Sequence, residues 1–236
     1  MVDNPTMRVL AIETTEAIGS VAALAAGNLL GELRLPLKQG SAQSLAPALK
    51  TLLDTVHWRP DDVELVAVTI GPGSFTGLRV GVTAAKTFAY AVKAQVLGID
   101  TLETIAAGCP QEVETLATAM DAQRGQVVAG AFHRGPDGWF SASGPWRLMD
   151  LDAWLASLPL GTWVSGPVLR NVPGESLTGV RVVDSQYWSP TATALGRVAA
   201  HRFASGDRND LWALAPRYFR RSAAEEKWEQ KRRGNQ

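Results

Sequence analysis

Ile70-Gly71-Pro72-Gly73-Ser74-Phe75-Thr76-Gly77-Leu78-Arg79-Val80-Gly81-Val82 passes from the end of a strand to the start of a helix through little more than glycine, proline and a hydroxyl. Upstream, Val63-Glu64-Leu65-Val66-Ala67-Val68-Thr69-Ile70 is β-branched and apolar; downstream, residues 76–93 contain no proline and repeat at helical spacing. The stretch is a βα junction. Ser74 or Thr76 supplies the helix cap, and the free amides of the first turn, with the helix dipole, favour a phosphate or carboxylate. The same residues serve equally as a plain tight turn. Two nucleotide signatures fail here. A Walker loop needs Gly-Lys-Ser/Thr, but Leu78 follows Gly77, and the dinucleotide pattern needs a glycine where Thr76 stands.

Working outward, residues 8–12 and 19–25 read as strands joined by the turn 13–18, with a third strand near 30–35. A similar arrangement returns later: residues 116–121 lead through Ala122-Gln123-Arg124 into Gly125 and the strand 126–132. Glu13 matches Asp121 at an offset of 108 residues and Gly19 matches Gly125 at 106, near half the length of the 236-residue chain. That spacing predicts a duplicated protein of two similar lobes. Residues 101–107 suggest a short helix, Cys109-Pro110 ends the first half, residues 150–158 and 190–204 read as helices, and 163–167 and 180–183 as strands.

Two helices carry apolar surface. Residues 40–57 place Leu45, Leu49, Leu52, Leu53 and Val56 on one face. In the helix 76–93, Leu78, Val82, Ala85, Ala89 and Val92 form one apolar row, and Gly77, Gly81, Ala84, Phe88 and Ala91 form a second. One row covers a sheet; the second is surplus. Small Gly77, Gly81 and Ala84 would let a helix of another chain approach closely, and packing of both rows within the monomer is the competing reading. On the first reading Gly81→Leu or Ala84→Arg abolishes partner binding and leaves the monomer folded.

Composition narrows the function. With 23 basic and 23 acidic side chains there is no general electrostatic attraction to nucleic acid. Seven Lys/Arg against three Glu from Arg217 to Gln236 give that tail +4, leaving −4 for the rest, as 0 − 4. A lone cysteine, Cys109, rules out an internal disulfide and a cysteine-rich zinc site. His57, His133 and His201 are too widely spaced for a helical metal pair, so no metal site is expected. Ser41, Ser74 and Cys109 have no base adjacent in sequence, and no catalytic residue is assigned. The opening residues 1–6 show no basic and apolar leader, and no apolar run is long enough for a membrane span, so the expectation is a cytoplasmic protein without membrane contact.

The order of these motifs resembles the TsaB (YeaZ) family of bacterial tRNA threonylcarbamoyladenosine synthesis. The residues that carry the resemblance are 71–81, Leu10-Ala11-Ile12-Glu13-Thr14-Thr15, Asp121-Ala122-Gln123-Arg124-Gly125 and Ala215-Pro216-Arg217-Tyr218-Phe219-Arg220. The resemblance implies an α/β, actin-like (ASKHA) fold of two duplicated ribonuclease-H-like lobes, their mixed sheets flanked by helices. The lobes would span 7–108 and 109–205, with 206–236 a basic tail able to return to the first lobe. It also implies a non-catalytic subunit that binds and activates the TsaD transferase. The partners would be TsaD and the ATPase TsaE, with TsaC supplying threonylcarbamoyl-adenylate, a homodimer when the chain is alone, and tRNA only through the complex. The pairing surface would come from the helices 40–57 and 76–93, with Leu45, Leu49, Leu53, Gly77, Gly81, Ala84 and Phe88 as interface residues. No cofactor is required; ATP/ADP or Mg²⁺ could enter at the partner interface, against Glu13, Thr14, Thr15, Gly71, Gly73, Ser74 and Thr76. Family members usually carry aspartate at Glu13 and histidine at Ser41, and both departures weaken a ligand role. The other reading is an actin-like ATPase or phosphotransferase working in the interlobe cleft, with Glu13 and Asp121 near magnesium.

Overall fold

A computed structural model describes residues 7–35 and 40–220; residues 1–6, 36–39 and 221–236 lie outside the described residues, as does the Ser41 side chain. The first sheet contains β1 (Arg8–Glu13), β2 (Ser20–Ala25), β3 (Asn28–Arg34), β4 (Leu65–Gly71) and β5 (Gln95–Asp100), in the order β3-β2-β1-β4-β5. β1, β2 and β3 form an antiparallel meander, while β1, β4 and β5 run parallel. Parallel neighbours need crossovers, which helices α1 (Gly40–Thr55) and α2 (Phe75–Val92) supply.

Alternation along β1 decides what each face meets. Leu10 and Ile12 point to α1 and α2, where Leu52, Val82, Ala85 and Ala89 close one core. Val9 and Ala11 point the other way, to a second core with Leu65, Leu97 and Ile99.

The second sheet contains β6 (Thr115–Asp121), β7 (Gln126–Arg134), β8 (Phe140–Ala142), β9 (Arg147–Asp150), β10 (Trp163–Ser165) and β11 (Arg181–Val182). Its order is β11-β10-β6-β7-β8, with β9 also on β7. β6 is antiparallel to β7 and parallel to β10, which is parallel to β11, so the connectivity around β6 repeats that around β1. The duplication extends to the turns: Thr15 N donates to Glu13 Oε1 (2.6 Å), and Gln123 N donates to Asp121 Oδ1 (2.7 Å). Each acidic residue therefore accepts from the amide two places on. Between the sheets, α3 (Thr101–Gly108) packs Leu102 and Ile105 against Leu116, Met120 and Phe132; α4 (Leu151–Ala156) puts Trp154 on the opposite face of the second sheet. These two mixed, helix-flanked sheets are the actin-like α/β fold.

Helix α5 (Ala192–Ala204) lies where chain order did not place it. Expected within the second lobe, it packs Leu195, Val198 and Ala199 on the first sheet's core. Gly196 is the reason it can: a Cβ there would overlap the Leu24 side chain. Thr191 caps this helix, one residue inside the expected start at 190, accepting from Ala194 N at 3.1 Å. The chain then continues along the first sheet. Asn209 accepts from Gly98 N (2.8 Å), Leu214 enters the α1–α2 core, and Arg217 N donates to Ile70 O (2.7 Å). Among the described residues, no helix is long and apolar enough to cross a membrane.

Candidate functional site

Because β1 and β4 are parallel neighbours, the turn after Glu13 and the loop after Gly71 leave the sheet side by side. The structure therefore brings Glu13, Thr14, Thr15, Gly71, Gly73 and Ser74 together, with Thr76 exposed on the first turn of α2. What joins them is their own hydrogen bonding. Ser74 N donates to Thr15 O (2.8 Å), Thr14 Oγ1 donates to Gly77 O (2.8 Å), and Gly77 N donates to the capping Ser74 Oγ (3.2 Å). Gly71, joined to Pro72 by a cis peptide, lies against the Arg217 carbonyl, and Gly73 against Thr15. The amides of Thr15, Ser74 and Gly77 are thus engaged within the chain and not offered to a phosphate.

Glu13 is wholly enclosed. Its Oε1 also accepts from the Thr15 hydroxyl, while Oε2 makes no hydrogen bond. Burial pushes its carboxyl up to about 7, against the two Thr15 bonds, with nearby Glu16 and Glu32 adding a smaller push. Asp121, its counterpart, is exposed. Among the described residues no group of three or more His, Cys, Asp and Glu side chains converges as metal ligands do.

The cleft between the lobes carries a contact that sequence reasoning missed. Arg170 Nη1 meets Glu16 Oε1 at 2.9 Å, Ser189 Oγ donates to Glu16 Oε2 at 2.6 Å, and Arg170 Nη2 donates to Ser189 Oγ. Glu16 belongs to the turn beside Glu13, and Arg170 to the second sheet's flank, so the three side chains bridge the cleft. With Glu16 and Arg170 separated by 154 positions in sequence, no local pattern signals the pair.

The second apolar row of α2 divides in two. Gly77 and Gly81 are buried against Thr14: a Cβ at Gly77 would overlap the Thr14 carbonyl, and one at Gly81 the Thr14 hydroxyl. Their smallness serves the monomer, and the expectation that they face another chain is corrected. Ala84, Phe88 and Ala91 do look outward, and with Val80, Leu45 and Leu49 they line an apolar groove of about 640 Å³ between α1 and α2. Leu45 and Leu49 form its floor, being largely buried, whereas Leu53 belongs to the core and does not line it. Arg79 sits at the rim, its guanidinium 4.0 Å from the Phe75 ring and its Nε donating to Tyr218 Oη at 3.2 Å. On the other flank of α2, Lys86 Nζ donates to the carbonyls of Trp212 (2.9 Å) and Leu214 (3.0 Å), and Tyr218 packs on Phe75 at 4.7 Å. The returning segment thus holds α2 along the flank that ends at the groove's Arg79 rim.

Comparison with known proteins agrees with this architecture. The chain is 28% identical over 229 residues to the tRNA threonylcarbamoyladenosine biosynthesis protein TsaB of Bacillus subtilis, covering 94% of this chain and 98% of that one. It is 27% identical to the Escherichia coli protein of the same name, over 92% and 96% of the two chains. YeaZ from Pseudomonas aeruginosa superposes with a TM-score of 0.78 at 24% identity, covering 90% of this chain and all of that one. The family model for TsaD, tRNA N6-adenosine threonylcarbamoyltransferase, matches residues 37–139, which include α1 and α2. In its motifs, its fold and nearly its whole length, this chain is similar to the TsaB/YeaZ proteins of tRNA threonylcarbamoyladenosine biosynthesis.

Proposed function

We propose that the chain is a non-catalytic subunit that binds and activates a TsaD-type transferase by laying the α1–α2 groove against the corresponding helices of that partner. The observation that carries this reading is the groove itself: an apolar channel at the outer face of two helices, in which Ala84 and Phe88 are only half covered by the chain's own core and Ala91 is exposed. A transferase-family model that matches residues 37–139 supports the choice of partner. A paralogue with the same pair of helices can meet them across an approximate two-fold axis. For the same reason the chain alone pairs with a second copy of itself, and the transferase displaces that copy.

The cleft reading is weaker on the geometry. Glu13 is enclosed, the amides of Thr15, Ser74 and Gly77 are engaged within the chain, and the Glu16–Arg170–Ser189 bridge crosses the cleft. A role in nucleotide chemistry is therefore not assigned to Glu13, Ser74 or Thr76, and the TsaE-type ATPase and tRNA are partners of the assembly rather than ligands of this cleft.

The test is size-exclusion chromatography with light scattering, run on the chain alone and with the transferase, for wild type, Ala84→Arg and Phe88→Glu. A charge placed in a dry apolar contact weakens association by roughly a hundredfold or more. Both variants should elute as monomers and fail to bind the transferase while melting like wild type. Retained binding by both would overturn the proposal.

A further inference from the structure

A second cavity, of about 590 Å³, lies on the seam between the lobes, away from the α1–α2 groove, and the functional reading above leaves it unused. Its walls come from four parts of the chain. The second sheet and its loops give Phe132, Trp139, Phe140 and Trp146; the end of β5 and helix α3 give Asp100 and Glu103; α5 and the turn after it give Arg202 and Asp207; the returning segment gives Arg217 and Phe219. Both lobes and the returning segment must be in place before the cavity exists. Its size is that of a small-ligand site.

The chemistry of the lining selects the ligand. Five aromatic rings contribute, and Trp139 is held in position by stacking on His201, with centroids 4.4 Å apart. Against them stand four carboxylates, Asp100, Glu103, Asp137 and Asp207, and two guanidiniums, Arg202 and Arg217. Arg217 pairs with Asp100 at 2.6 Å. Arg202 is shared between Glu103 (2.9 Å) and Asp207 (2.6 Å), and Asp137 accepts only from the Trp139 amide at 3.1 Å, so negative charge is left over at both places. Asp100, 7% exposed, keeps Oδ1 without a hydrogen bond of ordinary geometry, and the Trp146 indole steadies its carboxylate. Aromatic faces, surplus carboxylate and an unfilled buried acceptor together favour a positively charged N–H donor and disfavour an anion. We infer that this seam is a binding site for an organic cation, an alkylammonium or a guanidinium, carried either by a free amine or by an arginine side chain of another polypeptide.

The test uses the full-length chain with its tryptophan indoles labelled for NMR. Agmatine, N-acetylarginine amide and, as the anionic control, benzoate are titrated in turn. The expected result is saturable movement of the Trp139 and Trp146 signals with the cations, while those of Trp58 and Trp212 stay in place. Asp137→Asn, which keeps an acceptor for the Trp139 amide, should weaken binding about two- to fivefold, and Trp139→Ala by about tenfold, with unchanged melting showing that each variant is folded. Tighter binding of N-acetylarginine amide than of agmatine supports the site and assigns it to a polypeptide side chain; the reverse order supports it and assigns a free amine. Movement of all indoles alike, cation binding unaffected by both variants, benzoate binding in place of the cations, or no binding up to about 10 mM would each overturn the inference.

Discussion

Replacing Glu13 by glutamine tests the most unusual electrostatic feature of the first lobe. The carboxyl is wholly enclosed, and burial raises it from 4.5 to about 7. The sign follows from proton binding. Between those values the folded chain holds a proton that the unfolded chain has released, so this group's contribution to stability is fully present below the unfolded value. It is lost as pH rises through the folded one. A displacement of that size corresponds to about 3 kcal/mol. In the Glu13→Gln variant the new side chain keeps an oxygen for the Thr15 amide and cannot ionise; whatever its amide costs by lacking an acceptor is constant with pH. The quantity to read is therefore the difference in unfolding free energy between variant and wild type. It should shift in the variant's favour by about 3 kcal/mol between about pH 4.5 and pH 8. Asp100 and Glu103, also raised by burial, titrate in both proteins and drop out of that difference. Urea titrations followed by tryptophan fluorescence at several pH values supply it. A difference constant to within about 0.5 kcal/mol across the range would refute the argument.

Other outcomes follow from the packing. Gly81→Leu should lower monomer stability by about 3 kcal/mol or more in thermal melts, since the new side chain must displace Thr14; a variant that melts normally would restore the interchain role for this glycine. Ser74→Ala removes the α2 cap from the Gly77 amide and should cost about 1 kcal/mol in urea titration. Cys109, 5% exposed and with its thiol pushed up by burial to about 11, should resist a disulfide reagent in the folded chain and react rapidly once urea unfolds it; quick labelling of the folded protein would contradict the burial.

Much of the fold is written locally. The β-branched run before Gly71, the proline-free repeat after it and the serine between them give β4, the cap and α2; the acid, short turn and glycine that recur near residues 121–125 announce the duplication. Strand β5 was harder to see, because it begins so soon after α2 ends and has no turn signal of its own. The small residues of α2 were legible as a sign of close approach but not of what approaches: a glycine facing Thr14 and an alanine facing solvent look the same in a helical repeat. Placement of α5 on the first sheet, the Glu16–Arg170 bridge and the lining of the seam cavity depend on contacts between residues roughly a hundred or more positions apart, which periodicity does not encode.

The returning segment has a consequence for biogenesis. Residues 209–218 are synthesised more than a hundred positions after α2, yet they hold Lys86, Arg79 and Phe75 of that helix in place. Although α1 and α2 leave the ribosome early, their outer face acquires its final support only after roughly a hundred further residues have emerged. On the proposed docking role, pairing through this face would wait until that later segment has folded back, which would keep shorter nascent chains from occupying a partner.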